Sequence, residues 1–539
     1  MYGRAYGKCR MNRRQLFCNT AAIIGAAGLA RPRVARAASA STLKFVPYAD
    51  LALLDPLVSA FVTRNHVMMV FDTLFALDAN GDAQPQMLAG HTVEDGAKTW
   101  RLTLRDGLLF HDGSKVLARD VVASLRRWAG RDAFGQALMD ATDELSAPTD
   151  KLVQFRLKRP FPLLPEALGK PTALMAVVMP ERLANTPPGT LLNEMVGSGP
   201  YRFLPDQRVS GARNVYAKFD GYQPRDGAAS FCAGPRVAHF DRVEWLTMPD
   251  PTTQAAALQH GEVDWVEQPA MDLVPSLRKD VNLKVEVVET TGLIGVLRFN
   301  QLFPPFDNAA VRRAALKAVN QTDFMAAVAG DADPAVINAH VGFLAPSSPY
   351  ASDAGMEMLS GKFKLDALKR EVEQAGYKGE KVVFLGATDV ARISAISQVG
   401  ADVLSKIGLN IDYVATDWGT VVQRITRKQP IAEGGWSIFG VMWGGYDWYS
   451  PAGDLVLRGN GMNGWFGWPD APKLEALRNQ WLRAPDLATR KALARDIQLQ
   501  AFQDVPCVPL GLYYQPTAYQ NDLVGMMKGL PLFTGVRRA

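Results

Sequence analysis

The chain has 539 residues, of which 48% are hydrophobic and 21% charged, and it carries a formal net charge of +5. Such a length holds roughly two to four domains with cores of their own, and the composition excludes a wholly disordered chain. Residues 1–37 hold eight basic and no acidic residues, so the remainder has 51 basic against 54 acidic residues. A surface so close to neutrality gives no reason to expect nucleic acid as a partner.

The first 37 residues follow the order of regions in an export signal. Arg13 and Arg14 precede an apolar stretch (21–30) and a small-residue site (35–37). The apolar stretch is too short to span ~30 Å of hydrocarbon as a helix. The arginine pair resembles that of a twin-arginine signal. No run of about 18 apolar residues follows, so we expect residues 1–37 to be cleaved and the mature chain to be soluble in the periplasm.

The mature chain would retain two of the four cysteines, Cys232 and Cys507. In an oxidising compartment they can form one disulfide, or they can remain as two buried thiols. The sequence leaves both alternatives open.

Strands and helices alternate along the chain, which predicts an α/β protein. Residues 99–110 alternate like an antiparallel strand pair with a turn at Asp106-Gly107, and an amphipathic helix follows at 118–130. The order strand, turn, helix, strand recurs at 243–268. A strand–helix–strand–helix–strand unit runs from Lys381 to Trp443, and such sheets bind ligands at the carboxyl ends of their strands.

One segment stands out by its aromatic residues. Five of the eleven tryptophans lie within residues 436–468, interleaved with phenylalanine, tyrosine and eight glycines. An aromatic wall with few polar groups suits a small-molecule pocket, whereas single rings of this kind more often fill a core. We predict that at least two of these rings line a ligand pocket.

Six segments follow one another along the chain: LDP (54–56), FDTLFALDANGDAQPQMLAG with the chain onward to Leu125 (71–125), GSGPYRF (197–203), PDPTTQAAALQHGEVDWV (249–266), FNQLFPPFDNAAVRRAALKAVNQTDF (299–324) and PCVPLGLYY (506–514). In this order they resemble the extracytoplasmic solute-binding proteins of the dipeptide- and oligopeptide-binding family (family 5). The resemblance implies an α/β, bilobal, periplasmic-binding-protein-like fold of type II, a three-domain flytrap that serves an ABC importer.

The family's domain order carries over to this chain as an expectation. A discontinuous domain I comprises 38–71, 198–291 and 506–539. Domain II is an insertion at 72–197, and domain III, the opposing lobe, spans 292–505. The chain then crosses between lobes near Thr290-Thr291-Gly292 and near Val505-Pro506, and these crossings form the hinge.

The resemblance also implies a ligand site in the aromatic segment. Peptide-binding relatives have a Trp followed three residues later by an Asp that pairs with the peptide's amino terminus, and a Pro four residues after that Asp. Here the third residue after Trp443 is Tyr446, whereas Asp447 keeps the spacing to Pro451. Asp447 is therefore the candidate anchor, and the departure puts a peptide ligand in question. The other predicted ligand-binding residues are Trp443, Tyr446, Trp448, Trp436 and, from the opposing face, Phe61.

The sequence offers no catalytic group, metal site or cofactor motif. The G-x-G-x-x-G at 459–464 is followed by Trp-Phe-Gly-Trp-Pro instead of a helix, and the six histidines are scattered. We therefore expect a monomeric binding protein for a peptide or peptide-like solute, partnered by an ABC permease and ATPase at the inner membrane. The alternatives are an exported hydrolase, or a non-transport sensor or chaperone on the same fold.

Overall fold

A computed structural model describes residues 41–172, 174–330 and 334–539. The predicted signal peptide lies outside the described residues. Within the described ranges, no helix is long and apolar enough to cross a membrane. Cys232 and Cys507 are both free thiols.

The first large sheet has seven strands and gathers segments that lie far apart in the sequence. Its central strand, Thr42–Val46, is parallel to both neighbours and places Phe45 in the core, where the ring lies 4.9 Å from those of Trp265 and Phe533. In spatial order the strands are Tyr201–Phe203, Arg213–Lys218, Arg242–Leu246, Thr42–Val46, Trp265–Val266, Thr517–Gln520 and Leu283–Glu286.

The second large sheet has six strands. Its two middle strands are buried along their whole length, as expected where helices cover both faces of a sheet. In spatial order the strands are Ile337–Asn338, Val508–Tyr513, Leu293–Phe299, Ile438–Gly444, Lys381–Ala387 and Asn410–Thr416. We call the part built on the seven-stranded sheet the first lobe and the part built on the six-stranded sheet the second lobe.

The predicted boundary at Val505-Pro506 is wrong by about one strand. Residues 506–539 were expected in domain I, yet Val508–Tyr513 pairs with Leu293–Phe299 in the second lobe. All six residues of this strand are buried, because it completes the apolar sheet there. The second crossing therefore follows Tyr513.

A third, four-stranded antiparallel sheet is formed by the part of the chain between strands Thr42–Val46 and Tyr201–Phe203 of the first lobe. Its order is Leu88–Glu94, Thr99–Leu104, Leu152–Leu157 and Thr142–Thr149. The predicted hairpin around Asp106-Gly107 is wrong, because strand Thr99–Leu104 pairs with the strands on its two sides. Residues 109–115 form a separate turn, closed by one bridge between Leu109 and Lys115.

The remaining elements cover these sheets or join them. Three two-stranded pairs are Asp72–Thr73 with Val177–Val178, Phe75–Leu77 with Ala83–Pro85, and Leu523–Val524 with Arg537–Arg538. The α-helices are Phe61–Val70, Ala118–Ala129, Ala133–Ala141, Leu164–Gly169, Glu181–Ala184, Pro251–Gln259, Val274–Leu277, Ala309–Lys317, Gln321–Ala329, Leu365–Gln374, Ala391–Lys406, Trp418–Ile425, Pro472–Trp481 and Leu487–Asp504.

Candidate functional site

A cavity lies between the two lobes, beside the first crossing of the chain. The space between its walls amounts to about 600 Å³, including the part open to solvent. The crossing itself contributes Gly292, whose φ of +72° is a backbone conformation that glycine adopts without strain. Prominent side chains in the walls are Phe61, Arg64, Trp265, Glu267, Glu289 and Gln515.

The wall of the first lobe is the start of helix Phe61–Val70. Phe61 and Arg64 are three residues apart and therefore share one face of the helix, with the guanidinium 5.2 Å from the ring centroid. Asn65 Nδ2 donates a hydrogen bond of 2.8 Å to Glu267 Oε1, and the backbone N of Tyr48 donates one of 2.9 Å to Oε2. These bonds fix Glu267 and the start of the helix to the seven-stranded sheet.

In the second lobe, Gly444 at the end of strand Ile438–Gly444 lines the cavity, and a single 3₁₀ turn, Gly445–Trp448, follows it. Gly445 N donates a hydrogen bond of 2.8 Å to Gly292 O, which ties this turn to the crossing. A Cβ atom built on Gly444 would lie 3.3 Å from Asp447 Oδ2 and 3.4 Å from Phe61 Cε1. Asp447 and Phe61 therefore approach Gly444 from opposite lobes, and of the two only Phe61 is among the residues that line the cavity.

A stacked pair of rings joins the lobes next to Asp447. Phe231 of the first lobe and Tyr446 of the second have centroids 5.1 Å apart and planes inclined by 11°. Phe231 adopts a φ of +53°, which is uncommon for a residue with a side chain. Such strain persists only where surrounding contacts hold it, and here the ring stacks across the lobe interface.

Carboxylates dominate the charge around the cavity. Burial is the largest influence on Glu289 and raises its pKa to about 7, with Asp447 also raising it and Arg64 and the hydrogen bonds from Thr291 lowering it. Burial likewise raises the pKa of Glu267. Asp454 lies deeper in the second lobe, and burial raises its pKa to about 7. Burial thus raises the pKa of both carboxyl groups that line the cavity, Glu267 and Glu289.

The structure brings some of the predicted site residues together and separates others. Phe61, Tyr446 and Asp447 lie at the interface of the lobes, and Trp443 directly precedes Gly444 in the cavity wall. Trp443 is 9% exposed and packs against Trp465 at 5.2 Å.

Trp436 and Trp448 are fully buried in the second lobe. Trp436 precedes the far end of strand Ile438–Gly444, is 1% exposed, and donates its indole N–H to Ile425 O at 3.1 Å. Trp448 is completely buried, and its carbonyl accepts a hydrogen bond of 2.9 Å from Ala345 N. Neither ring is among the residues that line the cavity.

Three cavity residues carry charge but were not singled out from the sequence: Arg64, Glu267 and Glu289. Arg64 lies three residues after Phe61, which was expected to oppose the aromatic segment, and Glu289 directly precedes the expected crossing. No local motif marks these residues in the sequence, and only their positions relative to the predicted lobes could have pointed to them. In the described parts of the chain, no group of three or more His, Cys, Asp or Glu side chains is placed to hold a metal ion.

Comparison with known proteins identifies the family. Residues 82–462 match the bacterial extracellular solute-binding proteins, family 5 Middle. A probable peptide ABC transporter periplasmic-binding protein of Sinorhizobium fredii (strain NGR234) is 35% identical over 536 residues, covering 98% of this chain and 100% of that relative.

Two solved structures show the same fold at 20% identity. The ABC transporter-associated periplasmic binding protein DppA from Helicobacter pylori, in complex with the peptide STSA, aligns with a TM-score of 0.75 over 92% of this chain and 98% of its own. The periplasmic binding protein AgaA from A. tumefaciens R10, in complex with agropinic acid, aligns with a TM-score of 0.74 over 92% of this chain and 99% of its own.

These matches confirm the predicted α/β, bilobal fold of type II periplasmic binding proteins and the resemblance drawn from the six segments. Proteins of this family bind solutes. The chain belongs to family 5 of the bacterial extracellular solute-binding proteins.

Proposed function

We propose that this chain is the periplasmic substrate-binding component of an ABC importer and that it captures a peptide or peptide-like solute by closure of its lobes. The observation that carries the proposal is the cavity at the crossing, which Phe61 of the first lobe and Gly444 of the second line, with Asp447 Oδ2 3.3 Å from the Cβ position of Gly444. A solute bound there contacts both lobes, and contacts made only in the closed form shift the population towards it.

The solute class rests on chemistry and on relatives. Asp447 is 7% exposed and provides a carboxylate that can bind an ammonium group as a charge-assisted hydrogen bond. Phe61, Trp443 and Tyr446 supply apolar surface beside it, where burial contributes about 25 cal/mol/Å². The relative of 35% identity is a probable peptide-binding component, and DppA is complexed with a peptide.

The proposal includes location and partners. Residues 1–37 would direct export through a twin-arginine signal and be removed, leaving a monomer in the periplasm. The closed form would then be recognised by the permease and ATPase complex at the inner membrane. Domain II would be the insertion at 72–197, and the two crossings would act as the hinge.

The test is binding of a defined dipeptide mixture, followed by native mass spectrometry and then calorimetry with the retained members. Asp447→Asn should weaken binding by about tenfold to hundredfold, because a charge-assisted hydrogen bond contributes ~1.5–3 kcal/mol. Asp140→Asn is the matched control, since that aspartate is exposed on helix Ala133–Ala141. Equal affinities of the Asp447→Asn variant and the wild type would remove Asp447 from the site. Failure to retain any dipeptide would count against the peptide assignment.

A further inference from the structure

Five arginines are buried in the described part of the chain, and four of them are saturated with hydrogen bonds. Arg127 donates to both carboxylate oxygens of Asp55, at 3.2 and 2.8 Å, and to two carbonyls. Arg298 donates to three carbonyls at 2.6–2.7 Å. Arg312 and Arg478 are bound in the same way, with bonds as short as 2.6 Å. This is the ordinary state of a buried guanidinium, which has five N–H donors to satisfy.

Arg64 is the exception. It is 7% exposed, yet its one acceptor among the described residues is Oδ1 of the adjacent Asn65, at 3.4 Å from Nε and 3.3 Å from Nη2. These are long bonds, and Arg64 forms no ion pair with any described residue. A buried charge left in this state is costly unless a further partner arrives.

The position of Arg64 points to where that partner comes from. Its side chain lines the cavity between the lobes. Asn65, its sole acceptor, is held by Glu267, whose other oxygen accepts from the backbone of Tyr48. Both oxygens of Glu267 are therefore engaged elsewhere, and the guanidinium is oriented in advance at the edge of the space a solute would fill.

We infer that Arg64 binds a carboxylate of the solute, so that the solute is a small zwitterion with its cationic group at Asp447. The part concerning Asp447 rests on the proposed function. The guanidinium fork matches a carboxylate with two parallel hydrogen bonds. A singly charged carboxylate also suits the surroundings better than a doubly charged phosphate, because Glu267 and Glu289 line the same cavity and repel added negative charge.

The experiment compares two probes on three proteins. The probes are a defined mixture of dipeptides with free carboxyl termini and the same mixture with amidated termini. The proteins are the wild type, Arg64→Met, and the control Arg370→Met, which makes the same change on the exposed surface of helix Leu365–Gln374. Retained dipeptides are identified by native mass spectrometry, and their affinities are measured by calorimetry.

We expect the wild type and Arg370→Met to prefer the free acids over the amides by at least about tenfold. Arg64→Met should lose this preference, with weaker binding of the acids and unchanged binding of the amides. Equal retention of acids and amides by the wild type would overturn the role of Arg64 while leaving the proposed function in place. Failure of the wild type to retain any member of either mixture would overturn both.

A second measurement separates binding from a structural role. Because Arg64 lacks strong partners in the empty protein, Arg64→Met should unfold at the same temperature as the wild type or higher, and Arg64→Lys should recover part of the preference for acids. Marked destabilisation of the empty Arg64→Met protein would show that the side chain supports the fold and would overturn the inference.

Discussion

At the scale of single residues, Glu289 carries the clearest electrostatic consequence. It sits immediately before the first crossing, where Thr291 donates to Oε1 both from its hydroxyl and from its backbone N–H, the latter at 3.3 Å. Despite these bonds its pKa is raised to about 7, because burial removes more hydration than the bonds return. The folded protein therefore holds a proton that the unfolded chain releases.

The sign of the resulting pH dependence is fixed by this shift. The ordinary pKa of 4.5 rises to about 7 on folding, so between these values the unfolded state has lost the proton and the folded state retains it. The free energy of unfolding should then fall as pH rises through this window and stay level above it. Below pH 4.5 both states are protonated, and Glu289 contributes nothing to the pH dependence.

We expect Glu289→Gln to gain stability relative to the wild type as pH rises. Measured by urea unfolding, the two proteins should differ by roughly 1–2 kcal/mol more at pH 8 than at pH 4.5. This is less than the full shift implies, because part of the Glu289 side chain remains accessible to solvent. The control is Glu262→Gln, which alters an exposed carboxylate in the first lobe. A difference between wild type and Glu289→Gln that is the same at both pH values would contradict the account.

At the scale of elements, periodicity predicted where the strands and helices lie better than it predicted which elements they pack or pair with. The run WSIFGVMW predicted the strand observed at Ile438–Gly444, and VVFLGA predicted that at Lys381–Ala387. Both faces of these strands are buried, so alternation could not tell which rings face the cavity. Trp436 and Trp443 therefore looked equivalent in the sequence, although a whole strand separates them.

The sequence also did not predict which distant segments come together in the fold. Strand Thr99–Leu104 was given a partner on the wrong side because a local Asp-Gly turn was available, whereas the pairing that forms uses a turn at Asp95-Gly96. Glu289 and Arg64 are 225 residues apart in the chain and belong to no common motif. The family resemblance supplied the lobes, but only the fold places these charges in one cavity.

Gly445, in the turn after strand Ile438–Gly444, contacts the first crossing of the chain, and this contact can be tested by mutation. A Cβ atom at Gly445 would lie 2.1 Å from Thr291 O, so a side chain there must displace backbone. We expect Gly445→Ala to lower the free energy of unfolding by more than about 2 kcal/mol and to weaken solute binding, because Asp447 is carried on the same turn. Gly453→Ala is the matched control, since nothing lies within 4 Å of its Cβ position.

Chemical denaturation of both alanine variants checks the first effect and calorimetry the second. If Gly445→Ala proved as stable as Gly453→Ala, the turn and the crossing would not be rigidly joined.

At the scale of the whole molecule, a few side chains hold the lobes together around the cavity. Arg392, in the first turn of helix Ala391–Lys406, reaches from the second lobe to the first. Its Nη1 donates to Gln268 Oε1 at 3.1 Å, and its guanidinium lies 5.4 Å from the centroid of Tyr48. On the far side of the cavity, the Phe231–Tyr446 stack makes the second link. Protein contacts thus join the two lobes at both of these places.

This arrangement predicts that solute affinity can be changed by a mutation at a residue that does not contact the solute. Removing the Arg392 contacts takes roughly 1 kcal/mol from the closed form alone, as expected for one hydrogen bond to a charged group and one cation–aromatic contact at a partly exposed site. Arg392→Met should therefore weaken binding about fivefold, since the solute must then supply more of the free energy of closure. X-ray scattering should give the empty variant a larger radius of gyration than the empty wild type, and saturating solute should bring both to the same compact value. Lys406→Met, at the other end of the same helix, should behave as the wild type in both measurements, because the ion pair of Lys406 is with Asp402 on its own helix. Equal radii for the empty Arg392→Met protein and the empty wild type would mean that Arg392 does not hold the lobes closed, and any loss of affinity would then have to arise inside the cavity.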